Sequence, residues 1–216
     1  MDFSSFYRLC SADKTNALQV EATPETSAYI GRETFAITMG INVPDRVLTF
    51  RRVVGKQPMD IISSSFVSIY LISGKVVDVL RDNRVTGWTT YPVLIKSNRD
   101  KFIDGYHGLV ACGRSGSIID SMSKHIIETI PPQGNRKTLL QREAWLGLYF
   151  DINIWDGCDF FMPADIGEET GHIFVTEKVV NIFRNKRLIN FNFTPLSTIY
   201  QPLSVHILQN KDNSAE

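Results

Sequence analysis

The chain has 216 residues, 43% of them hydrophobic, enough for one sizeable core or two small ones. Lys plus Arg and Asp plus Glu both number 23, so the formal net charge is zero. That balance argues against a dedicated nucleic-acid binder, which shows a basic excess, and against a nucleic-acid mimic, which shows an acidic one. The longest apolar runs are far too short to span a bilayer, so no membrane role is expected.

Residues 3–10 are aromatic-rich and predict a first strand, closed by a polar turn at 11–16, with 17–20 as its pairing partner. Residues 23–32 follow no clean period, and no element is assigned to them. Residues 47–54 are strand-like, with Arg51 and Arg52 on a solvated side. Residues 65–72 alternate in part and lead into the stretch that organises the chain.

That stretch, residues 71–93, reads LISGKVVDVLRDNRVTGWTTYPV, and residues 174–196 read FVTEKVVNIFRNKRLINFNFTPL. At a constant offset of 103, six of 23 positions are identical: Lys75/Lys178, Val76/Val179, Val77/Val180, Arg81/Arg184, Arg84/Arg187 and Pro92/Pro195. Unrelated segments share about one or two, so an internal duplication is expected. Each copy predicts an N-cap at Ser73 or Thr176 and a helix of roughly two to three turns. Val76, Val77 and Leu80 fall on one face, as do Val179, Val180 and Phe183. The β-branched Val-Val-x-Val core also suits a strand, but the polar spacing and the cap favour helix. Basic residues at the far end complement the helix dipole, Gly87 and Asn190 mark the turn out, and an extended run comes next. Its proline implies an edge position or a strand end.

Residues 88–96 are thus a strand, 97–100 a turn and 105–112 its hairpin partner. Gly113-Arg114-Ser115-Gly116 lacks the Lys-Ser/Thr of a P-loop and the third glycine of a dinucleotide fingerprint, and reads as a plain turn. Residues 123–130 fit a short helix. Residues 131–137 (PPQGNRK) are the best linker and mark a possible subdomain boundary. Residues 138–148 have an amphipathic, helix-compatible pattern. Residues 149–162 (YFDINIWDGCDFFM) are the most aromatic segment, and an acidic loop at 165–171 precedes the second copy.

Chemistry-bearing patterns are sparse. Cys10, Cys112 and Cys158 form no CxxC and no even-numbered framework, which fits reduced thiols in a cytoplasmic protein. The first residues have neither a basic region nor a long apolar core, so no signal peptide is expected. His107, His125, His172 and His206 show no zinc spacing, and no nucleophile, base and oxyanion donor converge. Asp151, Asp156 and Asp159, with Asp165, Glu168 and Glu169 close behind, could bind a divalent cation. They lack EF-hand spacing, and the favoured reading is a turn at Asp156-Gly157 with Asp159 capping the next element, so no metal site is expected. No cofactor is expected. The aromatics of 145–161 read mostly as core, with a minority available as anchors for a protein partner.

Several blocks together resemble one bacterial family. They are Thr86-Gly87-Trp88 with Tyr91-Pro92-Val93, Gly105-Tyr106-His107, Gly113-Arg114, Tyr149-Phe150-Asp151, Trp155-Asp156-Gly157 with Asp159-Phe160-Phe161, residues 173–179, and Phe193-Thr194-Pro195-Leu196. The family is that of immunity proteins of polymorphic-toxin systems, first catalogued as a domain of unknown function. The resemblance covers residues 47–197. It departs after Phe161, where the family often has Arg and this chain has Met162. It implies a cytoplasmic inhibitor that binds a toxin encoded beside it, and it gives no catalytic residues to carry over.

The expectation is therefore a single α+β domain, mostly antiparallel sheet with a few short helices and a duplicated helix–strand unit. Its expected function is to occlude a cognate toxin through a face at Trp155, Asp156, Asp159, Asp165, Glu168 and Glu169. The alternatives are a metal-dependent hydrolase using Asp151, Asp156 and Asp159, or a structural subunit of a larger assembly.

Overall fold

The computed structural model describes residues 3–66, 69–97, 101–131, 140–163 and 173–207. In chain order the first half forms β1 (Phe6–Ser11), β2 (Gln19–Ala22), α1 (Pro24–Thr38), β3 (Leu48–Val54), β4 (Ile61–Ser63), β5 (Tyr70–Ser73), α2 (Gly74–Asp82), β6 (Trp88–Lys96), β7 (Phe102–Ile103) and β8 (Tyr106–Ala111). Then come β9 (Gly113–Ser115), β10 (Lys124–Ile130), β11 (Leu140–Leu146), β12 (Phe160–Pro163), β13 (Ile173–Thr176), α3 (Glu177–Asn185), β14 (Phe191–Pro195) and β15 (Tyr200–Ile207). The fold is α+β. One sheet runs β2-β3-β6-β8-β5-β4 with β7 beside β6, a second runs β14-β1-β13-β12-β9, and a third is β10-β11-β15. Among the described residues the named strands pair antiparallel except β3 with β6 and β9 with β12.

The sequence repeat is a structural repeat. Ser73 is extended, and its Oγ accepts the Val76 N–H at 3.4 Å, which starts α2. Thr176 takes the same backbone shape before α3. Both helices end on an arginine in the left-handed region, Arg84 at φ 49° and Arg187 at φ 53°. The chain then folds back, with Val85 N–H donating to Leu80 O and Leu188 N–H to Phe183 O, each at 3.0 Å. Gly87 at φ 78° and Asn190 at φ 71° turn each chain into its exit strand.

The correspondence extends beyond the repeated sequence. Strand β8 lies between β5 and β6. The equivalent place between β13 and β14 is filled by β1, from the other end of the chain. Tyr106 faces Ser73 across β8–β5 as Phe6 faces Thr176 across β1–β13. Pro92 faces His107 as Pro195 faces Tyr7. After the strands, Cys112 N–H donates to Gly87 O and Ala12 N–H to Asn190 O, both at 2.7 Å. Two units of one design are therefore present, and the second borrows its central strand from the N-terminus.

The prolines sit where a missing N–H does least harm. Pro195 ends the edge strand β14. Strand β6 pairs with β8 through residues 88–92 and with β3 through 93–96, so Pro92 falls where one ladder gives way to the other.

The units meet through a shared apolar layer. Its buried members include the matched pairs Leu9/Leu109, Ile61/Phe160, Ile72/Val175, Val76/Val179, Val77/Val180 and Leu80/Phe183. Burial of each side chain of this kind contributes about 1–3 kcal/mol, so this layer is the main adhesive between the units. The outer faces differ. In the first unit α1 lays Ile30 and Ile37 on a layer containing Phe50, Leu71 and Tyr91. In the second, Phe6, Phe150, Phe161 and Phe174 form an aromatic layer sealed by Trp155 and Phe3.

Several sequence expectations change. Residues 17–20 do not pair with the first strand. Strand β2 pairs with β3, while β1 pairs with β13 and β14. The unassigned stretch opens α1, where Thr23 caps the Thr26 N–H and Pro24 is the first helical residue. The two helices expected at 123–130 and 138–148 are strands β10 and β11, paired from Lys124↔Leu146 to Ile130↔Leu140. Cross-strand pairing overrode their helix-compatible spacing. The linker at 131–137 therefore joins two strands of one hairpin, and residues 132–137 lie outside the described residues.

Candidate partner-binding site

The loop at 151–158 is built from local hydrogen bonds and one aromatic anchor. The Asp151 carboxylate accepts the Asn153 N–H at 3.0 Å, an Asx-type turn. The Asp156 carboxylate accepts the Cys158 N–H at 2.9 Å and the Arg114 N–H at 2.7 Å, while Gly157 takes φ 79°. The Asp156-Gly157 pair is thus the expected turn, and it also ties the loop to β9. Between these ties Ile154 projects into solvent, 65% exposed.

Trp155 holds the loop down. Its ring meets Phe6 edge-on at 5.2 Å and lies 5.6 Å from Phe161. Its Nε1–H is buried without a hydrogen-bond partner among the described residues. Trp155 is therefore an anchor of the aromatic layer, half-buried rather than displayed.

Asp159 is placed inside the fold, 7% exposed. Its Oδ2 accepts from the Thr86 N–H at 3.0 Å and from Lys178 Nζ at 2.7 Å, and its Oδ1 accepts the Thr176 hydroxyl at 3.0 Å. Burial alone would raise its pKa. The Lys178 ammonium, the Thr86 N–H and the Thr176 hydroxyl outweigh that and hold the carboxyl below the usual aspartate range. Its partners make it a structural tie, and a buried carboxylate offers little to an approaching protein.

The counterpart of Asp159 in the first unit was not singled out from sequence. Asp60, 8% exposed, accepts the Ser73 hydroxyl at 2.9 Å and the Ile189 N–H at 2.8 Å, with Lys75 Nζ at 3.8 Å. Ser73/Thr176, Lys75/Lys178 and Thr86/Ile189 all sit at the repeat offset. Each aspartate bonds its own unit's cap residue and then a backbone N–H of the other unit.

The expected contact residues therefore divide. Asp156 is exposed at the loop surface, Trp155 anchors the loop from beneath, and Asp159 is buried. Asp165, Glu168 and Glu169 lie outside the described residues. No group of three or more His, Cys, Asp and Glu is placed to hold a metal among the described residues. The thiols of Cys10, Cys112 and Cys158 are all pushed up by burial, which works against nucleophilic chemistry. No helix is long and apolar enough to cross a membrane among the described residues.

No family model matches the chain, and comparison with curated proteins gives no match.

Proposed function

We propose that this chain is an immunity protein that neutralises a toxin encoded beside it by binding it directly. The observation that supports this reading is the convergence of the sequence blocks that carry the family resemblance. The Thr86-Gly87-Trp88 block meets the Asp159-Phe160-Phe161 block: Asp159 accepts the Thr86 N–H, and Phe160 N–H donates to Thr86 O at 3.0 Å. A Cβ on Gly87 would come within 2.1 Å of Phe160 O, and one on Gly113 within 2.3 Å of the same atom. Arg114, from the next block, donates its N–H to Asp156. Blocks far apart in sequence thus form one packed junction, as family-defining residues of a common fold do.

The contact face in this reading is the loop at 151–158, tipped by Ile154, together with the acidic run Asp165, Glu168 and Glu169 further along the sequence. An apolar tip on a loop that carries Asp151 and Asp156 suits a basic partner surface, where charge governs the association rate. The hydrolase alternative is disfavoured by the engagement of Asp156 and Asp159, whose oxygens already accept from backbone N–H groups and, for Asp159, from Lys178 and Thr176.

Co-expression with the product of the adjacent toxin-like gene tests the proposal. Growth rescue with a one-to-one complex is expected, burying at least about 1,200 Å² in total. Rescue at a substoichiometric dose without a complex would replace binding by catalysis. Neither rescue nor complex would reject that pairing and leave the resemblance describing the fold alone.

A further inference from the structure

The third sheet stands outside the duplicated core, and its two edges differ. Edge strand β15 is blunted twice. Pro202 lacks an N–H, and the register shifts between Glu143 and Ala144, where the chain facing them passes from Ser204 to Pro202. Edge strand β10, Lys124-His125-Ile126-Ile127-Glu128-Thr129-Ile130, has neither a proline nor a bulge. None of its residues is buried, and Ile127 is 54% exposed. Among the described residues its outer edge pairs with no other strand, so it offers a template for one.

The pattern of charges on β10 is self-complementary. Lys124, Ile126 and Glu128 share one face of the sheet, since alternate residues point the same way. A two-fold axis normal to the sheet and passing Ile126 would pair Ile126 with itself. The same axis sets Lys124 of one chain opposite Glu128 of the other, twice. Shifting the axis to Ile127 instead sets Glu128 against Ile126 and Lys124 against Ile130, charge against hydrocarbon. Within each chain Glu128 already faces Arg142 across β10–β11. The Ile126-centred register therefore continues an alternating row, Arg142–Glu128–Lys124, across the junction. On the other face it sets Ile127 against the His125 of the second copy.

We propose that β10 is a dimerisation edge: two copies of this chain pair β10 to β10 antiparallel about Ile126, joining two three-stranded sheets into one of six strands. This goes beyond the proposed function and does not depend on it. Such an interface is isologous, and it leaves the loop at 151–158 out of the strand pairing.

The test uses the full-length chain alone, with mass measured by light scattering over a concentration series. A dimer that dissociates on dilution is expected. Lys124→Glu turns both cross-chain attractions into repulsions and is expected to weaken association at least about tenfold, and Glu128→Lys does the same. An equimolar mixture of the two variants restores opposite charges at both pairs and is expected to recover the dimer as a heterodimer. Misfolding of either variant would not be rescued by mixing, and circular dichroism of each alone checks that both fold. A monomer at every concentration would overturn the proposal. So would a dimer indifferent to both substitutions, or binding of a strand from the toxin at β10 in place of a second copy.

Discussion

Asp60 and Asp159 tie the two units together crosswise: Asp60 accepts the N–H of Ile189 at 2.8 Å, and Asp159 accepts that of Thr86 at 3.0 Å. The two ties are counterparts but not equals. Lys178 sits 2.7 Å from Asp159, whereas Lys75 sits 3.8 Å from Asp60 and is 56% exposed. Thr86 also accepts the Asp159 N–H through its hydroxyl at 3.1 Å, a bond that Ile189 cannot make. Asp159→Ala is therefore expected to destabilise the fold by about 2–3 kcal/mol, because the part-buried Thr86 N–H and the Thr176 hydroxyl lose their acceptor and the Lys178 ammonium keeps only the Arg84 carbonyl. Asp60→Ala should cost roughly 1–2 kcal/mol. Urea unfolding at neutral pH checks both. Equal losses would make the two ties equivalent, and no loss at either would mean that the shared apolar layer alone holds the units.

The Asp159 tie also carries a pH dependence. Its carboxyl titrates below the ordinary aspartate value of 3.8 in the folded protein. A depressed carboxylate contributes stability that is fully present above the unfolded-state pKa and is lost as pH falls through the folded one. The contribution is thus intact at pH 6, begins to fall as pH drops toward the unfolded value of 3.8 and is gone only below the folded pKa. Wild-type stability should fall over this window, and Asp159→Asn should start lower and fall less steeply. Parallel curves from pH 6 to pH 3 would assign the acid sensitivity to other groups.

The chain states its duplication in some places and conceals it in others. The helices, the Ser73 cap and the turn residues Gly87 and Asn190 were legible because α2 and α3 and their exits keep one spacing, whereas the Thr176 hydroxyl makes no capping bond and donates to Asp159 instead. Arg84 and Arg187 were legible as identities, but their reason was not: both occupy the left-handed position that ends a helix. Asp60 and Asp159 lie 99 apart rather than 103, because Asp60 precedes its cap residue Ser73 by 13 positions and Asp159 precedes Thr176 by 17, so an ungapped match misses them. The equivalence of β1 with β8 was hidden more deeply. It runs at an offset of 100 and in permuted chain order, with Leu9/Leu109 the identity in the paired strands. Strands β10 and β11 were misread because leucine and isoleucine spacing fits either period, and only pairing decides. At the candidate site the Asp156-Gly157 turn was legible, whereas the burial of Asp159 depends on partners 73 residues earlier and 17 and 19 later.

Gly87 and Asn190 show how one backbone position is used in two ways. Both have positive φ. At Gly87 the opposing carbonyl, Phe160 O, comes so close that a Cβ would lie 2.1 Å from it. At Asn190 the matching carbonyl, Ile61 O, accepts the side-chain amide at 2.8 Å instead. Gly87→Ala is expected to cost about 2 kcal/mol or more from the combined contact and left-handed strain. Asn190→Gly keeps the backbone shape but removes the amide, which also bonds Ser11 at 2.9 Å, and should cost about 1–2 kcal/mol. Melting curves of the two variants decide. A neutral Gly87→Ala would show that Phe160 can withdraw freely.

The position of β1 makes the N-terminus essential to the second unit. It is paired on both sides, to β13 and to β14, and it buries Phe6 at 3% and Leu9 at 1% exposure. Phe6 also supports Trp155, so the strand lies directly beneath the candidate contact loop. Removing residues 1–11 would open both ladders and the aromatic layer together, which is more than a marginally stable domain tolerates. The truncated chain is expected to lose cooperative melting and, if it binds a toxin in full-length form, to lose that binding. A synthetic peptide of residues 3–13, added in trans, should restore both by refilling the gap between β13 and β14. Cooperative melting of the truncated chain within a few degrees of full length would mean that the second unit closes without β1.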